Sequence, residues 1–161
     1  MAFRPSISRR VVTGHNDSGK STVIIDSEKD GTISRNGPIL NPMWNSHEFP
    51  ADISKPGDKG QGSTAGSPVG SFFTTYDIPP HSRGLAHRSV TLDYVTVLRG
   101  SIVLDLDNTK VTLHEGDTVV QQGTMHSWHN ESDDWARMAT VMLPAEPVRI
   151  NGEALRQCWP Y

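Results

Sequence analysis

The residues of this chain best suited to chemistry lie between Ala86 and Asn130, where two histidines and an aspartate stand at the edges of short apolar runs broken by glycine. Imidazole nitrogens and carboxylate oxygens are ligands for divalent first-row metals, so the stretch reads as a metal pocket in a small β-barrel. The elements around it are strands. DYVTVLRGSIVLDLDNTKVTLHEGDTVV is rich in Val, Ile, Leu, Thr and Tyr with near alternation, the pattern of antiparallel strands. Arg99-Gly100, Asp107-Asn108 and Glu115-Gly116-Asp117 interrupt it, and there Gly and Asn supply the positive φ of tight turns. The expectation is that neighbouring strands pair in sequence order.

The same residues resemble the two motifs of the cupin superfamily, G-x5-H-x-H-x3,4-E-x6-G and G-x5-P-x-G-x2-H-x3-N. Asp93 and Gly100 match the end of the first, with Asp for Glu; Gly123, His126 and Asn130 match the end of the second. The chain departs at His81, where the leading Gly belongs, at Ser89, which replaces the second His, and between Gly116 and Gly123, an interval one residue short and without the Pro. HRSVTLDYVTVLRG with GTMHSW is most similar to the small single-domain cupins of bacteria and fungi.

The resemblance implies an antiparallel cupin-type β-barrel, a double-stranded jelly roll, with His87, Asp93 and His126 as metal ligands and Ser89 or water in the slot of the missing His. Such a set suits Fe(II), Mn(II), Zn(II) or Ni(II) and leaves positions open for a substrate. It carries a geometric condition. Fully extended, His87 and Asp93 would lie about 20 Å apart at roughly 3.3 Å per residue, so the chain must bend between Ser89 and Leu92. Each residue also has an ordinary reading: a strand-borne His is commonly just hydrogen-bonded, and Asp93 suits a strand cap. His114 beside its turn reads as solvated, and His129 should point opposite to His126 and Trp128.

The 161 residues suit one β-rich domain over 1–161, with a barrel core about 70–145, N-terminal strands in 10–50 and a flexible loop at 55–70, where Gly, Pro, Ser and charged residues dominate. In the last eleven residues, Leu155 and Trp159 fall on one face of an expected short helix starting at Asn151. A net charge of -3 with interspersed signs offers no basic face for nucleic acid or membrane, and no apolar run approaches bilayer length. The single Cys158 and an N-terminus without an apolar core point to the cytoplasm. The expected partner is a small-molecule substrate, and the resemblance adds a homodimer.

Function has to come from the site. The leading expectation is a metal-dependent lyase or isomerase, a decarboxylase or dehydratase acting on a small oxygenated aromatic or polyketide-like acid. Open metal positions would chelate its oxygens and stabilise an enolate. Ser89 and Trp128 are the substrate-binding candidates, Trp128 as an apolar wall; His129, Tyr94 and Glu48 are the acid/base candidates. An Fe(II)-dependent dioxygenase is the second expectation, since two His and one carboxylate form the facial arrangement of non-haem oxygenases. A non-catalytic binding cupin is the third.

One further motif is set aside. Gly14–Ser21, GHNDSGKS, satisfies the nucleotide P-loop pattern letter for letter. Phosphate cradling needs a helix beginning at the Lys, whereas Thr22-Val23-Ile24-Ile25 is a β-branched run that favours a strand. The reading is a β-hairpin turning at Asn16–Gly19. Calorimetric titration with ATP should therefore show no saturable binding; micromolar affinity lost in Lys20→Ala would restore the nucleotide reading.

Overall fold

A computed structural model describes residues 4–34, 37–54, 57–61 and 69–159, and every regular element among them is a strand. In chain order these are β1 Ser8–His15, β2 Ser21–Lys29, β3 Thr32–Ile33, β4 Ile39–Ser46, β5 Ser71–Ile78, β6 Ser82–Arg83 and β7 Thr91–Arg99. There follow β8 Ser101–Leu106, β9 Lys110–His114, β10 Thr118–Gln122, β11 His126–Asn130, β12 Ala136–Pro144, β13 Arg149–Ile150 and β14 Glu153–Ala154. A six-stranded sheet, ordered β10-β7-β12-β5-β4-β3, faces a four-stranded sheet, β6-β11-β8-β9. All the pairings are antiparallel. This is the jelly-roll barrel expected of a cupin.

Pairing in sequence order holds only in part. β8 and β9 form a hairpin around Asp107-Asn108, but β7 pairs with β10 and β12, and β8 pairs with β11. Arg99-Gly100 is a corner that carries the chain from one sheet to the other. Gly100 adopts φ 76°, and a Cβ there would come within 3.0 Å of the Trp135 carbonyl oxygen, so the corner needs a residue without a side chain. A corner and a hairpin call for the same turn residues, which is why the sequence did not separate them.

Alternation then fills the barrel. On β7, Asp93, Val95 and Val97 are buried while Tyr94 and Leu98 face out. Val95 and Val97 join Ile78, Ile102, Leu104, Leu113, Ala136 and Met138 in one apolar cluster, with Tyr76, Leu106, Val119 and Trp128 packed against it.

One expectation about the C-terminal end changes. The C-terminal segment forms no helix: β13 and β14 pair around Asn151-Gly152, with φ 51° and 87°. Positive φ at both central residues is the type I′ hairpin for which Asn-Gly is the strongest short signal; that local preference overrides the helical spacing of Leu155 and Trp159. Of the loop at 55–70, residues 55–56 and 62–68 lie outside the described residues; within 57–61, Asp58 is held by Arg10. Arg10, 7% exposed, holds Asp58 with two 2.6 Å hydrogen bonds and also donates to the Met43 carbonyl. The β1–β2 hairpin is as expected, with Asn16 Oδ1 accepting from the backbone N–H groups of Ser18 and Lys20 and β2 starting at Ser21.

Hydrogen bonds from Arg10 hold the Asp58 carboxyl well below the usual carboxylate range. That stabilisation is complete above the unfolded carboxylate's pKa, roughly 4, and is lost as pH falls through the depressed folded value. Arg10→Ala, which removes two charge-assisted hydrogen bonds from a part-buried carboxylate, should cost roughly 2 kcal/mol at pH 7. Urea melts from pH 7 to 2.5 should show the variant losing less stability in acid than the wild type; parallel losses would rule out the pair.

Candidate functional site

The barrel holds a partly open cavity of about 190 Å³ whose walls include His87, Ser89, Asp93, Gln121, His126, Tyr76, Thr140 and Trp128, with Met138 and Met142 among its apolar lining. Three separate pieces of chain meet here. The first is the segment before β7: His87 makes an isolated antiparallel bridge with His126, the chain bends at Val90, and the strand resumes at Thr91. The bend that the His87 to Asp93 span required is therefore present. β10 brings Gln121 opposite Asp93, and β11 brings His126.

The histidines are pinned alike. His87 Nδ1 donates to the Leu85 carbonyl at 2.9 Å and His126 Nδ1 to the Thr124 carbonyl at 3.0 Å. With the proton placed on Nδ1 by a backbone acceptor, each Nε2 keeps its lone pair, as in metal-ligating or proton-accepting imidazoles. Their ring centroids are 4.3 Å apart. Burial pushes the His126 pKa down to about 4, with the Thr124 carbonyl acting weakly the other way, so this ring is neutral at physiological pH.

Asp93 is 3% exposed. Burial raises its pKa, against the hydrogen bonds from Thr91 and Gln121 and the nearby His87, which lower it. Gln121 Nε2 donates to Asp93 Oδ2 at 2.8 Å and to His126 Nε2 at 3.3 Å, bridging carboxylate and imidazole. Asp93 Oδ1 and Gln121 Oε1 are buried without a hydrogen-bond partner. Two tied imidazoles and an orphaned carboxylate oxygen fit a divalent cation chemically. Among the described residues, no three His, Cys, Asp or Glu side chains are drawn together as a finished ligand set; Gln121 stands between His126 and Asp93.

The remaining sequence candidates divide. Ser89 and Trp128 line the cavity, Ser89 Oγ hydrogen-bonded to Thr91 Oγ1 at 2.6 Å. His129, Tyr94 and Glu48 do not line it. His129 points to the opposite face of β11, bonded to Ser127 Oγ at 2.9 Å and 3.5 Å from Asp105. Tyr94 is 47% exposed on the outer face of β7, and Glu48 follows β4.

Sequence reasoning passed over three residues. Gln121 alternates inward with Val119 on β10, as Tyr76 does with Thr74 and Ile78 on β5, so period two would have found both. Burial, with the Asp93 charge second, pushes the Tyr76 hydroxyl up to about 12 and keeps it protonated. Trp159 had no local signal. Backbone hydrogen bonds in both directions join Cys158 to Arg88, and they lay the Trp159 ring on His87 at 4.6 Å and 14°. His126 in turn meets Trp128 edge-on at 6.0 Å.

Comparison with known proteins agrees with this geometry. Residues 74–142 match a family model described as a cupin domain. It is 42% identical over 90 residues, 55% of its length, to phomopsin biosynthesis cluster protein C′ of Diaporthe leptostromiformis, of which it spans about half (48%). It is 29% identical over 96% of its length, and 86% of the relative's, to the cupin-domain-containing oxidoreductase virC of Hypocrea virens. Among solved structures, a cupin 2 conserved barrel domain protein of Salinispora arenicola superposes with a TM-score of 0.51 at 16% identity, covering 72% of this chain and 82% of that one.

The His126 environment sets a spectroscopic expectation. In metal-free protein, ¹⁵N-edited NMR should show the neutral Nδ1–H tautomer down to about pH 4. Because the unfolded ring protonates near 6.5, stability should fall as pH drops from 6.5 to 4, the unfolded state binding the proton first. A midpoint near 6.5 for this ring in the folded protein would show the site open to water.

Proposed function

We propose that the chain is an enzyme that binds a small oxygenated aromatic or polyketide-like acid in the barrel cavity and carries out a non-redox decarboxylation or dehydration. The observation that carries this reading is the convergence of two Nδ1-tied imidazoles, a buried carboxylate with an orphaned oxygen and a bridging carboxamide on one apolar-walled cavity. Recognition would place the substrate's oxygens at this polar end and its ring against Trp128, Met138 and Met142.

His87, His126 and Asp93 would hold a divalent cation, which when bound supplies Lewis-acid stabilisation of negative charge on substrate oxygen. The protein's own part is positional. The Leu85 and Thr124 carbonyls fix the two imidazoles, and Gln121 orients the Asp93 carboxylate. In a decarboxylation the C–C bond breaks, CO₂ leaves, and its electron pair passes to the adjacent carbonyl as an enolate. A proton must then return to carbon. The Tyr76 hydroxyl is a cavity-lining donor that could deliver it, in place of His129, Tyr94 and Glu48.

A second reading, an Fe(II)-dependent oxygenase or other oxidoreductase using the same residues, is favoured by the name of the Hypocrea virens relative. Oxygen uptake separates the two. Under the leading reading, aromatic β-keto or hydroxy acids lose CO₂ or water at the same rate with and without O₂; strict dependence on O₂ would overturn it in favour of the second.

Metal content tests the ligands. His126→Ala should lose bound divalent metal far more completely than Ser89→Ala, because water replaces an imidazole poorly and a serine hydroxyl easily. Ser89→His should bind metal more tightly with lower activity, since it takes a position from the substrate. Full metal in purified His126→Ala, measured by mass spectrometry, would remove the cation from the mechanism.

A further inference from the structure

A second cavity, about 210 Å³, lies outside the barrel wall between the start of β7 and the segment that follows β12. Val90 and Leu92 form one side; Pro147, Val148 and Leu155 form the other. Ser89 lines both cavities, so this space adjoins, at that residue, the cavity that holds His87, Asp93, Gln121 and His126. We infer that the outer cavity is a binding subsite for the apolar portion, an alkyl chain or second ring, of the molecule whose oxygenated end occupies the barrel cavity. The inference rests on the reading of that inner cavity as the substrate site.

Three observations support it. Size is the first: small-molecule sites commonly occupy roughly 300–1,000 Å³, and neither cavity reaches that range alone, whereas the two together do. The second is polarity. The charged residue lining the outer cavity is Glu146, whose carboxylate repels an acid group, so an amphipathic acid is directed with its carboxylate inward and its hydrocarbon outward. The third is construction. The outer wall is fastened to the site strand at both ends, by Ala145 N–H to the Val90 carbonyl at 3.2 Å and by the Arg88–Cys158 pair, while Leu155 N–H bonds the Val148 carbonyl at 2.8 Å to close the hairpin between them. Those ties hold the apolar side chains apart as a cavity wall, leaving Val148 42% exposed.

The test is calorimetric titration of the full chain with benzoate and with 3- and 4-n-alkylbenzoates from methyl to heptyl. Burial of each methylene should tighten Kd about fourfold until the outer cavity is full, after which added carbons should have no effect. Leu155→Trp, which fills the cavity, should abolish the dependence on chain length while leaving benzoate within twofold of its wild-type affinity. Val148→Trp, at a more exposed position of the same wall, does the same should Leu155→Trp lower Tm sharply. Equal affinity for benzoate and heptylbenzoate, or a chain-length dependence that survives both substitutions, would overturn the subsite. Chain-dependent binding that both substitutions abolish, with no measurable binding of benzoate itself, would keep the subsite and overturn the inner-cavity reading. No binding by any member of the series would overturn both.

Discussion

The register of β7 between β10 and β12 is the constraint on which this site depends. Side chains alternate across a strand, so a slip of one residue would turn Asp93 to solvent and bring Tyr94 into the barrel. Both neighbours prevent it: Asp93 lies opposite Gln121 on one side and Met142 on the other. The apolar partners Val95 and Val97, three and one per cent exposed, fix that register, because a slip would also expose them. A carboxyl group is thereby held in an apolar interior, which costs free energy unless it is paired. Gln121 and Thr91 meet that cost only in part, and one oxygen is left unsatisfied. Core packing enforces a polar arrangement that would be unfavourable by itself.

Much of this was legible in the sequence because its signals are local. Period-two patterning marks β5, β7, β8 and β12, and a β-branched run after Lys20 is enough to exclude a phosphate-binding helix. The resemblance of His87, Asp93, Gly100, Gly123 and His126 to the cupin motifs implied the barrel and the strands bordering its cavity. Other features were not legible, for distinct physical reasons. Gly100 serves a corner between sheets and Asn108 a hairpin with similar residues, so connectivity cannot be read from turn chemistry. Gln121 and Tyr76 stand on inward positions that alternation would have named, but neither matches a motif. Trp159 reaches His87 through a bridge to Arg88, seventy residues away in the chain, and no short-range pattern encodes such a contact. At Asn151-Gly152 two local signals compete, and the backbone preference for positive φ prevails over side-chain periodicity.

The N-terminal hairpin and the residues before it are tied down by arginine ion pairs and hydrogen bonds. Arg10 reaches Asp58 and the Met43 carbonyl, and Arg137, paired with the fully buried Asp77 of β5, also donates to the Ser6 carbonyl. Val11, Val23 and Ile24 of the hairpin are about half exposed. Such ties depend on geometry more than on area: guanidinium forks match carboxylates in one orientation, so the hairpin is held at a defined angle without being part of the barrel core.

The row Trp159, His87, His126 and Trp128 has an optical consequence. Two of the four tryptophans bracket the histidine pair, one stacked on His87 and the other edge-on to His126, whereas Trp44 lies beneath Arg10. Indole emission is sensitive to charge and to heavy or paramagnetic neighbours within a few ångströms. The site therefore contains its own fluorophores, one at its solvent-facing edge and one in its wall, and an occupant would be registered by light from the protein itself, with no label and no turnover.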